Sequence, residues 1–150
     1  MREIKFKAKR IDNGEWVYGK LYECDKFARI ITAFAYTNED GENDGLGQYY
    51  CEAYDVKIDT ICQFTGLYDK NGKEIYENDL LIDCLDGENI FKVIYEDGCF
   101  KFKTKYINSP ISQKIVNDCD LIIIGNIFDN KELLGEQHDN RWSTKRVKAI

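Results

Sequence analysis

Short stretches of alternating apolar and polar residues run along most of this chain. Many are bounded by Asn-Gly or Asp-Gly pairs: Asn13-Gly14, Asp40-Gly41, Asp44-Gly45, Asn71-Gly72, Asp86-Gly87 and Asp97-Gly98. Such pairs favour the positive φ angles of tight hairpin turns. Ile4, Phe6 and Ala8 fall on one side of the opening stretch, and Lys5, Lys7 and Lys9 on the other. With Trp16 to Leu21 after Asn13-Gly14, this predicts a hairpin. Further strands are expected at Ala28–Phe34, Tyr49–Tyr54 and Thr60–Phe64, rich in β-branched and aromatic residues. Leu80–Cys84, Asn89–Tyr95 and Cys99–Tyr106, joined at Asp86-Gly87 and Asp97-Gly98, predict an antiparallel three-stranded meander with no helix. Pro110 marks a break, and Leu121–Ile124 reads as a strand covered on both faces. A short helix is expected over Asp129–Leu134, capped by Asp129 and closed by Gly135, and Gln137–Ile150 reads as a loose tail or a terminal helix docked through Trp142 and Val147. The fold class is therefore mainly β.

The 150 residues fit about one domain, taken as 1–135 with two sub-lobes, 1–57 and 58–135, and a tail over 136–150. Net charge is −6, which disfavours a protein whose whole surface coats nucleic acid. A single His excludes a histidine-rich metal site. No apolar run is long enough to cross a membrane as a helix, and the opening has no apolar core of a signal peptide. The six Cys (24, 51, 62, 84, 99 and 119) lack close pairs and mostly sit in apolar runs. They are expected to be reduced, mostly buried thiols in a cytoplasmic protein.

Candidate chemistry is thin. The stripes Lys5/Lys7/Lys9 and Lys101/Lys103/Lys105 read as solvated strand edges, or alternatively as a nucleic-acid contact. Phe100, Phe102 and Tyr106 are expected to point inward, away from the second stripe. Glu39, Asp40, Glu42 and Asp44 suggest an acidic loop rather than a calcium site, because no helix pattern flanks them. Asp118 and Asp120 share a face if they lie on one strand, which keeps a metal-dependent hydrolase as the least favoured alternative. His138 reads as an exposed tail residue.

One stretch is distinctive: Gln63-Phe64-Thr65-Gly66-Leu67-Tyr68-Asp69-Lys70-Asn71-Gly72-Lys73-Glu74-Ile75-Tyr76-Glu77-Asn78-Asp79. It resembles the signature of the YopX family of phage and prophage proteins. The opening Met1–Arg10, Asn13–Gly19 and the close at Ile124–Leu134 are similar to that family's ends. Asn78 stands where the family usually has Gly, and Asn tolerates the left-handed region. The resemblance implies antiparallel sheets in partly open, barrel-like lobes, but no activity. The signature residues Gln63, Phe64, Thr65, Gly66, Leu67, Asp69, Asn71, Gly72, Lys73, Tyr76 and Asp79 read as structural or partner-binding. Asp79 is placed to accept backbone N–H bonds, and Tyr76 to anchor the turn. No enzyme activity, cofactor or metal is expected. The expected role is a non-enzymatic, protein-binding accessory protein in the bacterial cytoplasm, partnered by itself or a host protein. Its weakly charged strands Ala28–Phe34 and Tyr49–Tyr54 suggest self-association.

Overall fold

The turn pairs bend the chain where the pattern places them. A computed structural model describes residues 1–37, 48–85 and 87–138. The strands are β1 (Phe6–Lys9), β2 (Trp16–Cys24), β3 (Phe27–Thr37), β4 (Gln48–Val56), β5 (Cys62–Tyr68), β6 (Glu74–Tyr76), β7 (Asp79–Asp83), β8 (Ile90–Glu96), β9 (Cys99–Lys103), β10 (Asn108–Pro110) and β11 (Leu121–Asn126). Two α-helices, α1 (Gln113–Asp118) and α2 (Lys131–His138), and a 3₁₀ turn at Ile58–Thr60 complete the described elements. The chain forms two compact units, Met1–Gln63 and Phe64–Ile150, dividing within β5. The fold is mainly β, with antiparallel sheets and no closed barrel among the described residues.

In the first unit the strand order is β4-β3-β2-β1-β5. Ala8, Ala28, Ile30 and Val56 form its buried core, with Phe6, Val17, Leu21 and Ile61 packed against them. Small residues there let strands pack closely: a Cβ on Gly19 would lie 2.0 Å from the Ile31 carbonyl oxygen. The sheet curls at one end. Arg10 bridges to Val56, the Ile11 N–H donates to Asp55 O (3.0 Å) and the Lys57 N–H to Lys9 O (2.8 Å). Thr60 Oγ1 fixes the same corner, accepting from Lys9 N–H (2.9 Å) and donating to Lys57 O (2.7 Å).

In the second unit five strands run in the order β10-β9-β8-β7-β11. Ile75, Leu81, Val93, Phe102, Val116 and Leu121 are the buried core. The expected meander is present, and none of its described residues is helical. Asp97 and Gly98 both take positive φ (53° and 78°), as a tight hairpin turn requires. Asp86 lies outside the described residues.

Several expectations are corrected. Helix α1 breaks no strand pattern strongly enough to be legible; Ser112 starts it, its Oγ accepting from Ile115 N–H (3.2 Å). Pro110 does not break the sheet but sits in the outermost strand β10, opposite Lys101, where a missing N–H costs no ladder bond. Helix α2 starts at Lys131, after Asn130, and runs through Gly135 instead of ending there. Asn130, not Asp129, directly precedes the first helical residue, and the Asp129 carboxylate accepts from Asn126 Nδ2 (3.1 Å). β11 is an edge strand with only Leu121 fully buried, so its apolar run is not covered on both faces. None of the six cysteines is in a disulfide, but only Cys62 is buried; Cys51 and Cys84 are exposed and the others half-buried, because most strands are covered on one face alone.

Candidate functional site

The lysine stripes do not mark sheet edges. β1 lies between β2 and β5, and β9 between β8 and β10. Lys7 is buried, and its Nζ lies 4.8 Å from the Trp16 ring; Lys9 Nζ lies 5.4 Å from the same ring. Trp16 stands opposite Lys9 in register, so one indole roofs the lysine face. Lys101 pairs with Asp97 (3.1 Å), which holds the ammonium above its ordinary pKa. Lys105 and Tyr106 lie beyond the end of β9, and Tyr106 is 74% exposed instead of pointing inward; Lys105 Nζ sits 5.5 Å from its ring. Phe102 alone of the three aromatics is fully buried.

The carboxylate pair is also separated. Asp118 ends α1 and pairs with Lys114, while Asp120 takes positive φ (47°) before β11 and faces Lys70 (3.4 Å). They do not lie on one strand. Among the described residues, no group of three or more His, Cys, Asp or Glu is placed to hold a metal. The acidic stretch Glu39–Asp44 lies outside the described residues, as does the side chain of His138.

The signature segment builds two polar staples. Asp69 is buried, and its carboxylate accepts three backbone N–H bonds: Asn71 (2.8 Å) and Lys73 (2.9 Å) on Oδ1, and Ile123 (3.1 Å) on Oδ2. The turn at Asn71-Gly72, with Gly72 at φ 80°, closes through Gly72 N–H to Asp69 O (3.0 Å). Asp79, also buried, accepts from Tyr76 N–H (2.8 Å). Tyr76 packs 5.5 Å from Phe64 and donates its hydroxyl to Glu74 (3.2 Å). Thr65 Oγ1 donates to Ile75 O (2.7 Å) and accepts from Leu67 N–H (3.2 Å), beside Gly66 at φ 84°. Asn78 takes φ 68°; its N–H donates to Val93 O (2.8 Å) and its carbonyl accepts from Ile127 N–H (3.1 Å). Gln63 is half-buried. These bonds hold a turn against β11.

Among the described residues, a group of exposed aromatics lies on β3 and β4. Phe34, Tyr36, Tyr49 and Tyr50 are all exposed, Tyr49 by 72%. The register places Tyr36 opposite Tyr49 and Phe34 opposite Cys51 on one face. The Tyr49 ring lies 4.9 Å from Tyr36 and 5.5 Å from Phe34. A bulge between Ile31 and Ala33 shifts the register of β3, so Phe34 and Tyr36 continue the face of Ile31. β4 ends its sheet, and no described strand pairs with its outer side between Gln48 and Tyr54.

Arg10 closes the far end of that edge, a role that sequence pattern gave no signal for. Its guanidinium lies 4.2 Å over the Tyr54 ring and pairs through Nε with Asp12 (2.8 Å), an ion pair that raises the Arg10 pKa and lowers that of Asp12. Tyr54 donates to Glu52, which pushes the phenol pKa up. A cleft of about 310 Å³ lies here, lined by Arg10, Ile11, Asp12, Ala53, Tyr54 and Asp55.

The sequence profile of the YopX protein family matches residues 5–135. The chain belongs to the YopX family. Among solved structures it is similar to the crystal structure of protein EF1440 from Enterococcus faecalis, at 27% identity and a TM-score of 0.66, covering 89% of this chain and 99% of that one. No curated protein matches it. No helix among the described residues is long and apolar enough to cross a membrane.

Proposed function

We propose that this YopX-family chain is a non-enzymatic binding module that engages protein through the outer edge of β4 and the aromatic face beside it. The observation that carries the reading is the exposed cluster Phe34, Tyr36 and Tyr49 on one face, with Tyr50 exposed on the other, beside the outer edge of β4 that no described strand pairs. Exposed aromatics and open edges are the two surface features that most often mark protein contacts. Asp69 and Asp79 are tied into turns and Asp118 and Asp120 into surface ion pairs, so catalysis finds less support than binding. Lys7 and Lys9 are drawn onto the Trp16 ring, and the second stripe is divided between the Asp97 ion pair and the segment beyond β9, which favours protein over nucleic acid. The family resemblance supports a phage or prophage accessory role in the bacterial cytoplasm, with the partner being another copy or a host protein.

The test is affinity capture from bacterial cells with the chain and with a Tyr49→Asp/Tyr50→Asp variant, alongside light scattering of each. Both substitutions lie on exposed positions, and circular dichroism checks the fold. The expected result is a retained partner, self or other, that the variant loses. Identical retention by both forms, with both monomeric, would overturn the reading.

A further inference from the structure

We infer that β4 pairs antiparallel with β4 of a second copy, in a register centred on Cys51. This rests on the binding reading above and names its partner and geometry.

The backbone sets the phase. In a strand, the N–H and C=O of one residue point to the same side, and successive residues alternate. Glu52 O accepts from Thr32 Oγ1 on β3, so Glu52 faces its own sheet. Asp55 O and Lys57 N–H bond Ile11 and Lys9 on the opposite side. The bulge lies on β3, so β4 keeps its alternation. Tyr49, Cys51 and Ala53 therefore turn their backbone groups outward, and Arg10 and Ile11 block the edge beyond them.

Two identical antiparallel strands related by a two-fold axis must centre on a residue opposite itself, because paired residues share a face. A centre at Glu52 would set two carboxylates against each other. Centring on Tyr50 would use fewer of the outward groups. Only the centre at Cys51 pairs Tyr49 with Ala53, Cys51 with Cys51 and Ala53 with Tyr49, and each pair exchanges both backbone bonds.

The side chains fit this register. Tyr49, the most exposed ring on the strand, falls opposite Ala53, the smallest side chain on β4, which lines the cleft of about 310 Å³ at that end. The same copy thus carries a knob and a hole placed symmetrically about Cys51, the arrangement an isologous contact needs. On the other face Tyr50 falls opposite Glu52, so a phenol donor meets a carboxylate acceptor. A host protein would have to supply this pattern separately; a second copy has it by symmetry.

The experiment uses the full chain. Sedimentation should give a mass about twice 17.5 kDa at high concentration, falling to that of one chain on dilution. Ala53→Arg fills the hole on an exposed position and should raise the dissociation constant at least tenfold. Cys51→Pro removes only an outward N–H, so the sheet survives while pairing is lost. Opposed Cα atoms of a hydrogen-bonded pair lie about 5.5 Å apart, within disulfide reach of roughly 4.4–6.8 Å. Diamide, which takes up two electrons and two protons as two thiols join, should therefore link two chains through Cys51. Cys84→Ala should leave that link intact and Cys51→Ala should abolish it. A chain that stays monomeric at every concentration overturns the inference, even if it retains another protein and the binding reading stands. A dimer that persists in Cys51→Pro and Ala53→Arg, without a Cys51 cross-link, overturns it equally.

Discussion

Asp69 is the residue whose removal should cost the fold most for a single polar change. Its carboxylate accepts the Asn71, Lys73 and Ile123 amides, tying the 71–73 turn to β11 across 54 positions of sequence. Asp69→Ala deletes all three bonds and leaves the half-buried Ile123 amide without this acceptor. A hydrogen bond to a charged group contributes about 1.5–3 kcal/mol when buried, and about 1 kcal/mol when one partner keeps access to water. Asn71 and Lys73 are exposed and Ile123 is half-buried, so the sum is about 3.5–5 kcal/mol. Asp69→Asn keeps one oxygen for the turn but presents an NH₂ to the Ile123 N–H, so it should lose about half as much. Set against a typical total of 5–15 kcal/mol, the Ala variant should be measurably weakened and still folded. Urea unfolding followed by circular dichroism reads the difference; the midpoint should fall by about 1–2 M for Ala. Hydrogen exchange at the Ile123 amide should accelerate in both variants. A loss below about 0.5 kcal/mol for Asp69→Ala, or a larger loss for Asn than for Ala, would refute the account of Asp69 as a staple.

Other outcomes follow from single positions. Gly19→Ala should destabilise by about 3 kcal/mol, because the new Cβ would meet the Ile31 carbonyl at 2.0 Å and backbone cannot step aside; thermal unfolding unchanged within a degree would contradict this. Asn78→Val should cost about 1–2 kcal/mol by forcing a β-branched residue to φ 68°, whereas Asn78→Gly should be tolerated, as paired melting curves can establish. Glu77 is half-buried, and desolvation raises its pKa, with Lys92 opposing. A carboxyl with a raised folded-state pKa destabilises the fold where it is charged in both states. Glu77→Gln should therefore stabilise at neutral pH, and the gain should vanish as pH falls below the ordinary Glu value of about 4.3. An equal gain at pH 3 and pH 7 would show that burial of the charge is not the cause.

The strands were legible because period-2 patterning and turn chemistry agree at the same places. Asp97-Gly98 lies between two alternating runs, and both its residues take the positive φ that those types favour. What failed was inference about which strand sits where. An exposed-looking lysine stripe is identical in sequence whether its strand is an edge or an interior one. β1 became interior through pairing with β5, far along the chain, and Trp16 covered the lysines from the neighbouring strand. Helix α1 was illegible for a different reason. It has six residues, one of them buried, so 3.6-residue periodicity has no room to appear; only the Ser112 cap could have signalled it.

The site shows the same asymmetry in a sharper form. The signature stretch is conspicuous as sequence because its residue types are demanding: Asp69 for three amides, Gly72 and Asn78 for positive φ, Tyr76 to seat the turn on Phe64. Asp69, Tyr76, Gly72 and Asn78 each meet such a demand inside the fold, which accounts for these residue types by folding. The β3–β4 aromatics have the opposite character. Tyr49 and Tyr50 are exposed, as the expected contact surface requires; filling a core was the alternative for them. Alternation alone cannot tell a covered aromatic face from an open one, since both read as Phe, Ala, Tyr against Tyr, Tyr, Cys. The difference lies in the bulge at Ile31/Ala33, which carries Phe34 and Tyr36 onto the face of Ile31, and in Arg10 and Ile11, which occupy the edge only at Asp55 to Lys57. An exposed aromatic beside an open strand edge costs solubility unless something covers it, and that cost is the physical reason for proposing a contact at this edge.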